Sequence, residues 1–280
     1  MRYGIRPVRH RGMALVAVLW ITAALSILVT GMVGAQRDEV RVVSTGRLVA
    51  QGAALGSAAA QLVLHDMASR PEPVARLLRR QVSFAGAAIE VEVIPLNGLV
   101  DLNRAPPPLL AALFAFGGGL DPARAESLAQ TVAAQRQAAA RTRGPRFEAA
   151  EDLLHVEGVD YALYARLSRL ITTDALGSGR VNALAAPPGV LLVLSQGDAG
   201  RVSVIAGARD SGQAGVDTTG LPQQFLDNSS ATRFKLVARV PMADGRHLLS
   251  ARWAETGRAT PEGVPWRIFH AEDQIEPMQP

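Results

Sequence analysis

Between Arg11 and Arg37 the chain carries no charged side chain, and no other feature limits its fold as strongly. The stretch reads RHRGMALVAVLWITAALSILVTGMVGAQ over 9–36, with 23 residues from Met13 to Ala35. As a helix, rising roughly 1.5 Å per residue, it spans about 35 Å and crosses a bilayer. A cleavable secretory signal has a shorter apolar core, about 7–15 residues, ahead of a small-x-small site. Only a helix lets a single segment satisfy its own backbone in hydrocarbon. Arg2, Arg6, Arg9 and Arg11 stand before the run without an acid among them, whereas Arg37, Asp38, Glu39 and Arg41 after it nearly balance. That bias predicts a single-pass protein with a cytoplasmic N-terminus and its bulk, beyond about residue 36, on the far side. Taken alone, the run also fits an ordinary uncleaved anchor or a long cleavable signal.

Of the 280 residues, about 245 follow the apolar run, enough for one large domain or two small ones with real cores. There is no cysteine, which excludes disulfides, thiolate nucleophiles and cysteine metal sites. The formal charge of +4 comes from 29 basic against 25 acidic residues. Without residues 1–12, which hold four arginines and no acid, the balance is 25 against 25. The basic excess is a topology signal rather than a phosphate-binding surface. Lys235 is the only lysine.

Residues 37–68 contain no proline and continue the helical pattern, with Val40, Val43, Leu48, Leu55, Ala59 and Leu62 forming an imperfect apolar stripe. One helix of about 55 residues, apolar then amphipathic, ends before Arg70-Pro71. A transmembrane helix followed by a separate one fits the same residues. Small residues at 23–35 and 50–60 suit close helix–helix contact. In 84–103, Ile89, Val91 and Val93 alternate with Glu90 and Glu92, predicting a half-buried strand. Asn97-Gly98 then reads as a hairpin turn into a second strand over 99–102.

Residues 104–174 are helical by pattern. Gly117-Gly118-Gly119 reads as a helix terminator, Asp121-Pro122 as a helix start running to about Gln137, and a new helix carries Leu153 and Leu154. VDLNRAPPPLLAAL (100–113) is echoed by VNALAAPPGVLLVL (181–194), each a strand end, Ala-Pro-Pro and an apolar helix start. Residues 195–230 read as loop. FKLVARVPM, HLLSARWAE and PWRIFHAED read as three strands, the first two joined by an Asp244-Gly245 hairpin.

Chemistry is sparse. His10, His65, His155, His247 and His270 are scattered without metal-ligand spacing, and no nucleophile elbow, phosphate loop or zinc-protease motif occurs. This pattern predicts no enzyme and no catalytic residue. Asp210, Asp217 and Asp227 share one polar stretch and are the candidates for a calcium ion. EDLLHVEGVDYALYARLSRLI has the cadence of a helix-hairpin-helix, whose hairpin amides meet phosphate in DNA-binding proteins. Here the turn is Glu157-Gly158-Val159, and residues 101–173 hold eight arginines against eight acids. A neutral module with an acidic turn lacks the counterion-releasing charge of a DNA binder. The expectation is no nucleic-acid partner, with membrane-anchored DNA uptake as the alternative.

Arg11-Gly12-Met13 resembles a prepilin peptidase site, with cleavage after Gly12 and methylation of the new N-terminus at Met13. Together with LVDLNRAPPPLLAAL, FEAAEDLLHVEGVDYALYARLSRLITT, VNALAAPPGVLLVL and FLDNSSATRFKLVARV, in that order, the chain resembles the K-type minor pseudopilins of type II secretion systems, general secretion pathway protein K. It departs from them at Leu184 and Ala185, where the family often has Asn-Thr. The resemblance implies an α+β fold, a pilin-like long N-terminal helix packed on an antiparallel sheet, with an inserted all-α domain of SAM-like or helix-hairpin-helix-like kind. It divides the chain into a leader (1–12), a transmembrane half-helix (13–35), a periplasmic half-helix (36–68), a pilin-like α/β domain (69–103 and 176–280) and the helical insertion (104–175). It implies a place in the bacterial inner membrane with the bulk periplasmic. The implied partners are the I- and J-type minor pseudopilins, the major pseudopilin, prepilin peptidase and membrane lipid; a related type IV pilus is the neighbouring alternative. Some members bind calcium.

Major pilins carry glutamate at the fifth mature position, facing the N-terminal amine of the subunit ahead. Counted from Met13, that position is Ala17. A carboxylate in hydrocarbon persists only with a partner. A subunit with none ahead is better served by alanine.

Overall fold

The computed structural model describes residues 11–70, 73–142, 147–257 and 263–276; the side chains of 11–14, 27–44 and 142 also lie outside the description. The fold is α+β, in two units, 1–51 and 52–280. One helix, α1 (Arg11–Ala68, 58 residues), runs through the first and ends in the second.

In the second unit the end of α1 lies on a five-stranded antiparallel sheet. Its strands are β1 (Leu78–Phe84), β2 (Ala87–Pro95), β5 (Arg233–Pro241), β6 (His247–Thr256) and β7 (Trp266–Ile275), in the order β1-β2-β5-β6-β7. Period-two alternation puts Ile89, Val91 and Val93 on the helix side, with Phe234, Leu236, Ala238 and Val240 beside them, all buried. The helix meets this layer through Gly52, Gly56, Ala59, Ala60, Val63 and Leu64. A Cβ added at Gly52 would stand 2.9 Å from Leu248, and one at Gly56 would overlap Ser250. This corrects the apolar stripe expected from the sequence. Of its described members only Ala59 is buried, and Leu62 is 46% exposed. It also corrects the use of the small residues at 50–60, because Gly52 and Gly56 are occupied by the chain's own sheet. Close approach needs absent side chains, so the packing face is set by Gly52 and Gly56 with Ala59, Ala60, Val63 and Leu64 rather than by the leucines of the stripe.

The β1–β2 hairpin turns on Ala85 (φ 50°) and Gly86 (φ 80°), the two positive-φ positions of a type I′ turn. The Asn97-Gly98 hairpin expected from the sequence is absent. Both edges of β2 are already paired, and Leu96–Gly98 is a buried 3-10 turn in which a Cβ on Gly98 would overlap the Ala185 backbone. The chain therefore leaves the sheet, and β3 (Val100–Asp101) pairs in parallel with β4 (Ile171–Thr172).

Between β3 and β4 lie α2 (Pro107–Ala112), a π-turn ending at Gly117, α3 (Pro122–Thr142), a 3-10 turn (Ala150–His155) and α4 (Tyr161–Leu167). Asp121 caps α3 by accepting from Arg124 N, and Gly119 has φ +71°. The helix expected at Leu153-Leu154 is that 3-10 turn, only six residues long.

The echoed segments adopt one conformation. Val100 and Val181 each make a parallel bridge, to Ile171 and to Leu226. Asp101 and Asn182 accept from the backbone two residues on, at 2.8 and 3.0 Å. Pro107 and Pro188 open α2 and α5 (Pro188–Leu194). The carbonyls of Ala105 and Ala186 each receive a guanidinium from a later helix, Arg136 at 2.9 Å and Arg209 at 2.7 Å. Arg209 belongs to α6 (Ala199–Asp210), a helix in a stretch expected to be loop. Asp198 caps it through Arg201 N, while its Gly, Ser and Val content hid it from propensity. Val190, Leu191, Leu194, Ile205 and Phe225 share one apolar core with Leu109, Leu113, Leu153 and Leu167. The boundary drawn at 175 thus cuts a core that the structure keeps whole.

Candidate assembly site

The leader residues 1–10 lie outside the described residues. Arg11, Gly12 and Met13 open α1, with their side chains outside the description. From Leu15 to Ser26 every residue is exposed, including Ala17, Leu19 at 66% and Trp20 at 74%. Thr22 donates to the carbonyls of Val18 and Leu19, and Ser26 to that of Thr22. Both hydroxyls are thus satisfied within the helix, as a hydrocarbon setting demands. No acid occurs in the segment. Among the described residues Leu15–Ser26 is a shorter apolar stretch, and Thr45–Ala68 is the one long and apolar enough to span by length and composition, with a third of its most apolar window buried. Its packed face marks it as the stem of a folded domain.

In the second unit the helix keeps an open side, with Ala54, Gln61, Leu62 and His65 exposed. Trp266 at the start of β7 clasps it, donating from Nε1 to Gln61 Oε1 at 2.8 Å and meeting His65 edge-on. Beneath the helix sits a charged group that sequence reasoning missed. Arg252, 7% exposed, donates to both oxygens of Asp273 at 2.9 and 3.2 Å, and Ser250 donates to Oδ1 at 2.7 Å. Burial works against ionised Asp273, but the bonds from Arg252 and Ser250 outweigh it and hold the carboxyl below its ordinary range. Arginine at an inward position of HLLSARWAE was the available signal.

Two arginines join the sheet to the helical region. Arg79 bridges Glu92 and Asp210, at 3.1 and 2.9 Å, and Arg233 bridges Asp174 and Glu255, at 3.1 and 3.4 Å. Arg233 also lies over the Phe269 ring at 5.0 Å.

The three calcium candidates are not brought together as one site. Asp210 is held by Arg79 and Arg209; burial raises its pKa, and those two arginines lower it further than burial lifts it. Asp217 accepts from the Thr219 hydroxyl and amide, and Asp227 from Ser178 and from Ser229 N. Among the described residues, no three His, Asp or Glu side chains converge as metal ligands. A cleft of about 350 Å³ lies on the helical region beside Arg136, Phe147, Asp152 and His155. Asp152 there caps the 3-10 turn, accepting from the amides of Glu148 and Ala149. At the hairpin, Gly158 has φ +91°, Glu157 is exposed, and Asp160 accepts from Leu163 N. Two carboxylates therefore border the place where a phosphate would sit.

No family model and no curated protein matches the chain. Among solved structures it is similar to a chain of the GspK-GspI-GspJ complex from the enterotoxigenic Escherichia coli Type 2 Secretion System, at 15% identity and a TM-score of 0.49, over 84% of this chain and 99% of that one.

Proposed function

We propose that this chain is a K-type minor pseudopilin, anchored in the inner membrane by residues 13–35 and standing at the tip of a secretion pseudopilus. The observation that carries the reading is an exposed, acid-free helical segment around Ala17, in the same helix whose far end seats on an antiparallel sheet. The leader directs insertion, cleavage after Gly12 frees Met13 for methylation, and the subunit joins I- and J-type partners to initiate or cap a fibre of major pseudopilins. The open side of α1 is the natural surface for partner helices. The helical region is too bulky for a fibre interior and suits a terminal position.

Two measurements test this. Mass spectrometry after co-expression with prepilin peptidase is expected to show a chain beginning at methylated Met13, and Gly12→Asp is expected to keep the leader. An intact Met1 in the wild type would mark a plain anchor. Ala17→Glu places an unpaired carboxylate in hydrocarbon, at about 2.5–3.5 kcal/mol. Secretion by that variant is expected to fall severalfold with the protein still inserted; unchanged secretion would mean that a subunit ahead supplies the amine and that this chain is no tip. Salt-dependent retention of DNA by the full chain would favour an uptake role.

A further inference from the structure

The two echoed segments differ at one buried position, and the difference is a titratable one. Asn182 is fully partnered. Its Oδ1 accepts from Leu184 N, and its Nδ2 donates to the carbonyls of Ala75 and Ser229 at 2.8 and 3.1 Å. Its counterpart Asp101 is 3% exposed. Oδ1 accepts from Asn103 N at 2.8 Å, while Oδ2, where Asn182 carries its donor, is buried with no partner among the described residues. A buried polar atom without a partner is costly, and a buried anion more so.

We infer that Asp101 is a proton-operated latch. Neutral, its carboxyl puts no charge in the buried site and keeps the parallel β3–β4 closure; ionised, it leaves there a charge met by the Asn103 amide at Oδ1 and by no described group at Oδ2, and loosens the base of the first echoed segment.

The groups facing it agree. Burial pushes the Asp101 carboxyl above the ordinary carboxylate range and Asp174, just after β4, adds to this, against the Asn103 amide, the charge of Arg104 and, least of all, the Arg104 amide. Arg136 on α3 also feels this carboxyl, but its guanidinium is directed to Ala105 O, and it forms no ion pair with Asp101. A raised folded-state pKa means that the stabilisation is full below the unfolded value of about 3.9 and is lost as pH rises through the folded one.

The test compares the full chain in detergent micelles with its Asp101→Asn variant from pH 4 to 8. The reporters are the melting temperature and amide exchange at Val100 and Leu102, which donate to Leu170 and Thr172 across the closure. The two proteins are expected to melt together at pH 4. By pH 8 the variant is expected to melt about 2–4 °C higher, and its two amides to exchange roughly tenfold more slowly. Carboxyls with the opposite slope, Asp210, Asp227 and Asp273, are common to both proteins and cancel. A difference that does not grow with pH, or a variant less stable at pH 8, overturns the latch. Asn182→Asp should import the behaviour to the second echoed segment, folding at pH 4 and failing first at pH 8; equal loss at both also overturns it.

Discussion

Gly56→Leu is expected to unseat α1 from the sheet and cost about 3 kcal/mol or more, read as a lowered unfolding midpoint of the full chain in micelles. An added Cβ overlaps that of Ser250, lies 2.6 Å from its hydroxyl and 3.3 Å from Val240. Both neighbours are fully buried, so neither can step aside. Gly52→Ala meets a terminal methyl of the buried Leu248 at 2.9 Å, a milder approach than the overlap at Gly56, and is expected to cost less. Gly46→Ala meets nothing within 4 Å and is expected to gain up to about 1 kcal/mol of helix propensity. Equal losses at all three positions would show that the helix does not seat as described.

Asp273→Ala is the second large loss, about 1–3 kcal/mol, because the buried Arg252 guanidinium then keeps only the carbonyls of Ala251 and Glu272 as partners and loses its counter-charge. The double change Arg252→Met with Asp273→Leu removes both charges and is expected to recover most of that loss. The pair also has a pH signature opposite to that of Asp101. The Asp273 carboxyl is depressed, so its contribution is present above the unfolded pKa and is lost as pH falls through the folded one. Unfolding midpoints from pH 7 down to pH 2 are expected to drop less steeply in the double variant than in the wild type. A parallel decline in both would remove Asp273 from the acid-sensitive set.

Several elements are legible in the amino-acid order. The alternation of Ile89, Val91 and Val93 with Glu90 and Glu92 is local, as are the Asp121-Pro122 helix start and the Asp244-Gly245 turn, where Gly245 has φ +83°. Each depends on neighbours within a few residues. Ala85 defeated the reading because alanine rarely supplies a positive φ, and α6 because its composition is poor in helix formers. Asn97-Gly98 has hairpin chemistry, but that chemistry acts only when a strand edge is free, and both edges of β2 are taken.

The amino-acid order by itself determined where the chain is apolar enough to enter a membrane, on which side of that run the arginines gather without acids, and that a second Ala-Pro-Pro helix start repeats the first. These follow from side-chain transfer energies and φ restrictions that each residue carries with it. Tertiary structure alone decided which face of α1 is spent on the sheet, that the core runs past residue 175 to Leu226, and that Asp273 meets Arg252 while Asp101 Oδ2 meets nothing among the described residues. Those outcomes depend on groups brought together from distant parts of the chain. Their energies of close packing and desolvation do not exist until the partner arrives.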